Sequence, residues 1–226
     1  MLESAINEIK QKIVEYSIFA EKMIEKSVKG LLEKDRELLE EIINEDENQA
    51  NRREIEIENQ GVAVIARYSP KAKELRTILM ILKMNNDLER ICDHAVDISE
   101  SALYLIERPQ LKPFIDIPRM SSLTMQMLSD AIDSFIEEDP VKANEVLKKD
   151  DIIDDFRDQI LRELITYMST DMNTIERALR ILNIARHLER IADLSTNICE
   201  DVIYMVEGRN IKHHFSLSKE QEEQKD

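Results

Sequence analysis

The sequence predicts an all-α protein of six long helices in two tandem, duplicated three-helix bundles. Three observations carry that reading. First, 3 Gly, 5 Pro, 5 Phe, 5 Tyr and no Trp in 226 residues are too few for a turn-rich sheet protein. Second, apolar residues recur at 3-4 spacing over long stretches with few breakers. Third, the two halves of the chain repeat each other.

The breakers set the elements. They are Asp35, Ser69-Pro70, the stretch from Arg108 to Pro118, Asp139-Pro140, Ser169 to Asp171, and Gly208, and they leave helices over 3–33, 36–67, 71–107, 115–137, 140–168 and 172–207. Pro70 and Pro140 stand where a helix should begin and Gly208 where one should end. The richest break, RPQLKPFIDIP, divides a first bundle over 1–110 from a second over 111–208. The remaining 209–226 is charged, has no apolar stripe, and is expected to be disordered.

The repeat is read at two offsets. Met23 to Asp46 runs beside Met127 to Asp150 at an offset of 104, whereas LERICD at 88–93 meets LERIAD at 188–193 at an offset of 100. Four extra residues in the first half are most simply placed near the 68–71 turn. A period near 100 residues suits a duplicated bundle rather than a solenoid.

Charge narrows the function. With 31 Lys plus Arg against 47 Asp plus Glu, the net charge of −16 argues against a nucleic-acid partner. The N-terminus lacks the pattern of a signal peptide, and no window is apolar enough for a membrane span, TILMILKM being the nearest approach. A cytoplasmic protein is expected. Cys92 and Cys199 form no C-x-x-C pair and are expected to pack. No phosphate-binding glycine loop and no nucleophile motif occurs, so a binding or regulatory protein fits better than an enzyme, and no catalytic residue is assigned.

The acidic faces are the informative feature. On the third helix, Ile81, Met84, Leu88, Ile91, Ala95 and Ile98 form an apolar stripe, and Glu89, Asp93, Asp97 and Glu100 fall on the other side at 100° per residue. On the sixth helix Glu189, Asp193, Asn197 and Glu200 repeat that register. Like charges one turn apart repel, and a face chosen only for solubility usually alternates sign. Here the same-sign pair occurs twice. Each second helix adds an oxygen-bearing pair, Glu47 with Asn51 and Asp150 with Asp154, although the ungapped repeat offers Asp46 as an alternative to Glu47 in the first half. If helices two and three are neighbours, four such side chains converge. Carboxylate and amide oxygens without thiolate or nearby imidazole suit hard or borderline cations such as Mg, Ca, Mn or iron. His94 beside Asp93 could be a ligand, but its repeat counterpart is Leu194, which favours an ordinary helix histidine.

NDLERICDHAVDISE at 86–100 and RHLERIADLSTNICEDVIYMVEG at 186–208 closely resemble the duplicated signature of the PhoU-type phosphate uptake regulators, and the order of motifs is similar over nearly the whole chain. The resemblance implies two three-helix bundles carrying metal ions on E(D)-x-x-x-D faces, in some members as multinuclear iron clusters. By motif, Glu89-Asp93, Glu189-Asp193 and Asp150-Asp154 carry over directly, Glu47-Asn51 less securely because Asn replaces the second acid, and Asp97 and Asn197 are added one turn beyond the matched pairs. It also implies negative control of phosphate uptake and of phosphate-starvation signalling. The implied partners are the ATPase of the phosphate ABC transporter and a phosphate-sensing histidine kinase, both at the inner face of the membrane, with a homodimer as the expected assembly. Two alternatives stay open at this point: a metal-independent helical adaptor, and a carboxylate-metal enzyme.

Overall fold

The computed structural model describes residues 1–209, so the expected disorder of 209–226 lies, Arg209 apart, outside the described residues. Among them all regular structure is helical. The first repeat comprises α1 (Leu2–Glu33), α2 (Arg36–Glu41) continuing through a π-helical turn (Ile42–Asp46) into α3 (Glu47–Tyr68), and α4 (Lys73–Ile106). The second comprises α5 (Asp116–Glu137), α6 (Pro140–Leu147), α7 (Asp150–Thr170) and α8 (Ile175–Glu207), the last entered through a short 3-10 turn (Met172–Thr174). No described helix is long and apolar enough to cross a membrane.

The expected breakers act through identifiable caps. Asp35 accepts a hydrogen bond from the Leu38 N–H at 3.0 Å, and its repeat counterpart Asp139 accepts one from the Val141 N–H at 2.8 Å, with Pro140 pre-set at the first helical position. The residue before each cap, Lys34 or Glu138, ends the preceding helix in the left-handed conformation at φ 56 and φ 52. Gly208 does the same for α8, its N–H bonding to the Tyr204 carbonyl.

Within each repeat the long helices bury their apolar stripes against one another. Ile9, Ile13, Tyr16, Ile24 and Leu31 of α1 meet Ile81, Leu88, Ile91 and Ile98 of α4, all buried. In the second repeat Met127, Leu128, Ala131 and Phe135 of α5 meet Ile184, Leu188, Ile191 and Ile198 of α8. The repeats then pack through α4 against α8 and α1 against α5. This makes α4 and α8 central helices covered on several sides, and it explains why residues off the predicted stripe, such as Cys92, Val96 and Ser99, are buried too. Both cysteines pack in the interior, as their helical placement suggested.

Alignment of the two repeats corrects where the extra residues lie. From Glu54 to Glu89 the chain runs 35 residues, as it does from Asp154 to Glu189, so nothing is inserted at the 68–71 turn. From the Asp35 cap to Glu54 it runs 19 residues, against 15 from Asp139 to Asp154. The four-residue difference, about one helical turn, is taken up where the first repeat is continuous through a π turn and the second is broken between α6 and α7.

Candidate functional site

Two acidic clusters form where the second helical stretch of each repeat lies beside the third. In the first, α4 presents Glu89 and Asp93 one turn apart, and α3 presents Glu54, with Glu58 one turn on. The Asn85 amide donates to the Glu54 carbonyl at 2.9 Å and pins the two helices in register. The charges feel one another. Partial burial, then the Asp93 charge, then the Glu54 charge push the Glu89 carboxyl up to about 6. Burial and the charge of Asp97 raise Asp93, and burial, Glu58 and Asp93 raise Glu54. A carboxylate held above its ordinary range by burial and by like-charged neighbours gains from added positive charge, and on Glu89 the Arg90 guanidinium offsets only part of that push.

The first-repeat pair read from spacing is therefore corrected. Glu47, Asn51, Glu54 and Glu58 lie at 4-3-4 spacing on one face of α3, but the carboxylate that acts on Glu89 and Asp93 is Glu54, whereas Glu47 is two turns earlier. The displacement follows from the insertion before Glu54, which makes a register carried over at the earlier offset fall short along the helix. Asp46, the other alternative, is buried in the π turn and ion-paired with Lys26.

The second cluster lies between α7 and α8. Asp150 and Asp154 of α7 face Glu189 and Asp193 of α8. Asp150 is pushed up to about 6 by burial, then Asp193, then Asp154. Unlike the first cluster, this one contains a cation: the Arg157 guanidinium lies 3.6 Å from Glu189 and 3.7 Å from Asp154.

Asp97 and Asn197 occupy equivalent places on the seam between the repeats. Asn197 lines a groove between α8 and α4, together with Lys83, Asn86, Arg90 and Tyr204, rather than standing with the second cluster. The carboxylate of Asp97, while still acting on Asp93, lies 3.6 Å from His94 Nδ1 and 3.3 Å from His187 Nδ1. The two imidazoles approach Nδ1 to Nδ1 at 3.2 Å. Burial and their proximity to each other hold His94 below the ordinary histidine range, and burial lowers His187. Sequence reasoning missed this group because neither histidine has a histidine counterpart in the other repeat: His94 aligns with Leu194 and His187 with Asp87.

The comparisons with known proteins agree with the duplicated helical fold. The PhoU domain family model matches twice, over residues 13–102 and 117–202. The chain belongs to the PhoU domain family. A phosphate-specific transport system accessory protein PhoU homolog of Aquifex aeolicus is 38% identical over 214 residues, covering 95% of this chain and 96% of the relative. The crystal structure of PhoU from Pseudomonas aeruginosa superposes with a TM-score of 0.88 at 32% identity, over 92% of this chain and 100% of that one. That of the phosphate transport system regulatory protein PhoU from Streptococcus pneumoniae gives 0.87 at 28%, over 94% and 100%. The two PhoU matches fall on the two helical repeats, so each acidic cluster lies within one PhoU domain.

Among the described residues, three donor atoms come within 4.8 Å of one another at His94, Asp97 and His187, so the two acidic clusters match a cation in donor chemistry rather than in a closed set of distances. Both are all-oxygen and gather carboxylates from two helices, and several of those carboxyls are held above their ordinary range.

Proposed function

We propose that this protein is a non-enzymatic, metal-binding cytoplasmic regulator of phosphate homeostasis, acting as a negative regulator of high-affinity phosphate transport and of phosphate-starvation signalling. The relatives' role as accessory proteins of phosphate-specific transport supports the process. The observation that carries the metal reading is the set of raised carboxyls at Glu54, Glu89 and Asp93, across α3 and α4, and its recurrence at Asp150, Glu189 and Asp193, across α7 and α8.

In the first repeat Glu54, Glu89 and Asp93 would hold the ion, and in the second Asp150, Asp154, Glu189 and Asp193. A bound cation would add positive charge to these acid-rich faces, with iron, manganese and magnesium suited to the oxygen donors. Neutralised in this way, Glu54 and Glu89 no longer push α3 from α4, and the angle between those helices becomes fixed. The chain then presents a settled surface to its partners, the transporter ATPase and the phosphate-sensing histidine kinase, as a homodimer associated with the inner membrane only through them.

The test is elemental analysis of untagged protein, followed by measured affinity for the transporter ATPase before and after chelation. Two or more equivalents of metal, and an affinity that falls at least tenfold on chelation, support the reading. Stoichiometric metal with unchanged affinity would separate metal binding from docking. One observation favours a metal-independent adaptor for part of the molecule: Arg157 already supplies a positive charge inside the second cluster.

A further inference from the structure

The histidine pair lies between the repeats, next to the first acidic cluster through Asp97, and what it offers differs from what the acidic clusters offer. His94 projects from α4 and His187 from α8, the two central helices whose packing joins the first repeat to the second. The three donor atoms, His94 Nδ1, His187 Nδ1 and an Asp97 carboxylate oxygen, stand 3.2, 3.3 and 3.6 Å apart. A tetrahedral ion with bonds of about 2.0–2.1 Å to nitrogen and oxygen sets its donors about 3.3 Å apart. The observed triangle therefore has the size of one face of such a coordination shell.

We propose that His94, His187 and Asp97 form an inter-repeat site for a borderline divalent ion, zinc foremost, with a fourth position open to water. Two imidazoles and one carboxylate select differently from the all-oxygen clusters, which suit harder ions. The imidazoles are shielded, with side-chain exposures of 12% and 18%, while Asp97 at 46% faces the solvent side and gives the ion a way in. Because one imidazole comes from each repeat, a bound ion ties α4 to α8. The inference does not depend on occupancy of the acidic clusters.

The test uses the full chain, stripped with chelator and titrated with Co²⁺ as an optical probe, then with Zn²⁺ in competition. His213 and His214 are the chain's other histidines, so the titration is run in an H213Q/H214Q background. The expected result is one equivalent of Co²⁺ with the intense visible absorption of a tetrahedral site, displaced by one equivalent of Zn²⁺. His187→Gln and His94→Gln should each weaken this binding by about 100-fold or more, since loss of a mere supporting contact already costs about 10–100-fold. E54Q/E89Q should leave it in place. Zn²⁺ should also shift the side-chain nitrogen resonances of His94 and His187 in protein with both residues intact, a readout that does not depend on how the variants fold. Co²⁺ uptake and spectra unchanged by His187→Gln, or imidazole resonances unmoved by one equivalent of Zn²⁺, would overturn the proposal. The pair would then be a hydrogen-bonded couple that locks the helices.

Discussion

The two acidic clusters share three positions, Glu54 with Asp154, Glu89 with Glu189 and Asp93 with Asp193, but differ in charge and in Asp150, whose counterpart is Ala50. In the second, Arg157 sits between Asp154 and Glu189, at 3.7 and 3.6 Å. In the first, the position equivalent to Arg157 is Ile57, buried in the core, and Glu89 and Asp93 face Glu54 across the helix pair. One site thus has a guanidinium ion-paired to two of its acids, whereas in the other Arg90 acts on Glu89 and burial and like charge still push that carboxyl up. The difference teaches that a duplicated fold can keep a geometry while changing how strongly it needs a cation, because one side chain turned from the core to the cluster changes the local charge by a whole unit.

Removing the acids tests the comparison most severely. E54Q/E89Q should lower metal affinity at the first cluster by about 100-fold or more, because ligands as well as their charge are lost, more than the about 10–100-fold of an outer-shell change. D154N/E189Q should cost the second cluster less, since Arg157 loses its two partners in the cluster at once and can turn toward Asp158, 3.1 Å from its Nε. Calorimetric titration of each variant separates the two. Equal losses would mean that Arg157 does not distinguish the clusters.

The converse change is smaller. Arg157→Gln should raise metal affinity at the second cluster by about tenfold, a modest share of the several kcal/mol available to partly screened charges about 4 Å apart. It should also lower the thermal midpoint of metal-free protein, which loses its internal counter-ion. A variant that bound metal no better would show the guanidinium to be already displaced when metal is present.

The pH response is smaller again and has a defined sign. The folded-state values of Glu89 and Asp150, about 6, lie above those of the unfolded chain. For metal-free protein these groups contribute stability that is present at low pH and is lost as pH rises through about 6. Metal binding runs the other way, because carboxylates must lose their protons to ligate; affinity should climb up to tenfold per pH unit for each proton displaced, and flatten above that range. Thermal melts with and without metal across that pH range should therefore diverge. Parallel curves would contradict the coupling of the clusters to bound cation.

Most of the fold was legible because it rests on local signals. The helix ends at Lys34, Glu138 and Gly208 follow from Asp35, Asp139 and Gly208 acting as caps and stops, and the apolar stripes of α1, α4, α5 and α8 predict which faces meet. The acid pairs on α4 and α8 were legible because the repeat doubled them. Two features were not. The π turn at Ile42–Asp46 leaves no mark in composition, so the four added residues were placed at the wrong turn. The histidine site was hidden by the same comparison that revealed the acids: each repeat supplies one histidine from a non-equivalent position, and only the packing of α4 on α8 brings them together.

The smallest expected effect sharpens the register. Glu47 and Glu54 share a face of α3, have the same side chain, and differ by two turns along the axis. A general electrostatic account, in which the acidity of the face attracts cations, predicts similar losses for Glu47→Gln and Glu54→Gln. A ligand account predicts at least a tenfold loss of first-cluster affinity for Glu54→Gln, and for Glu47→Gln a change within about twofold, because a surface charge near or beyond the Debye length of about 8 Å is largely screened at physiological salt. Repeating both titrations at low and high salt decides between them: a loss at Glu47 that vanishes with salt is long-range attraction, whereas a loss at Glu54 that survives salt marks an oxygen in contact with the ion.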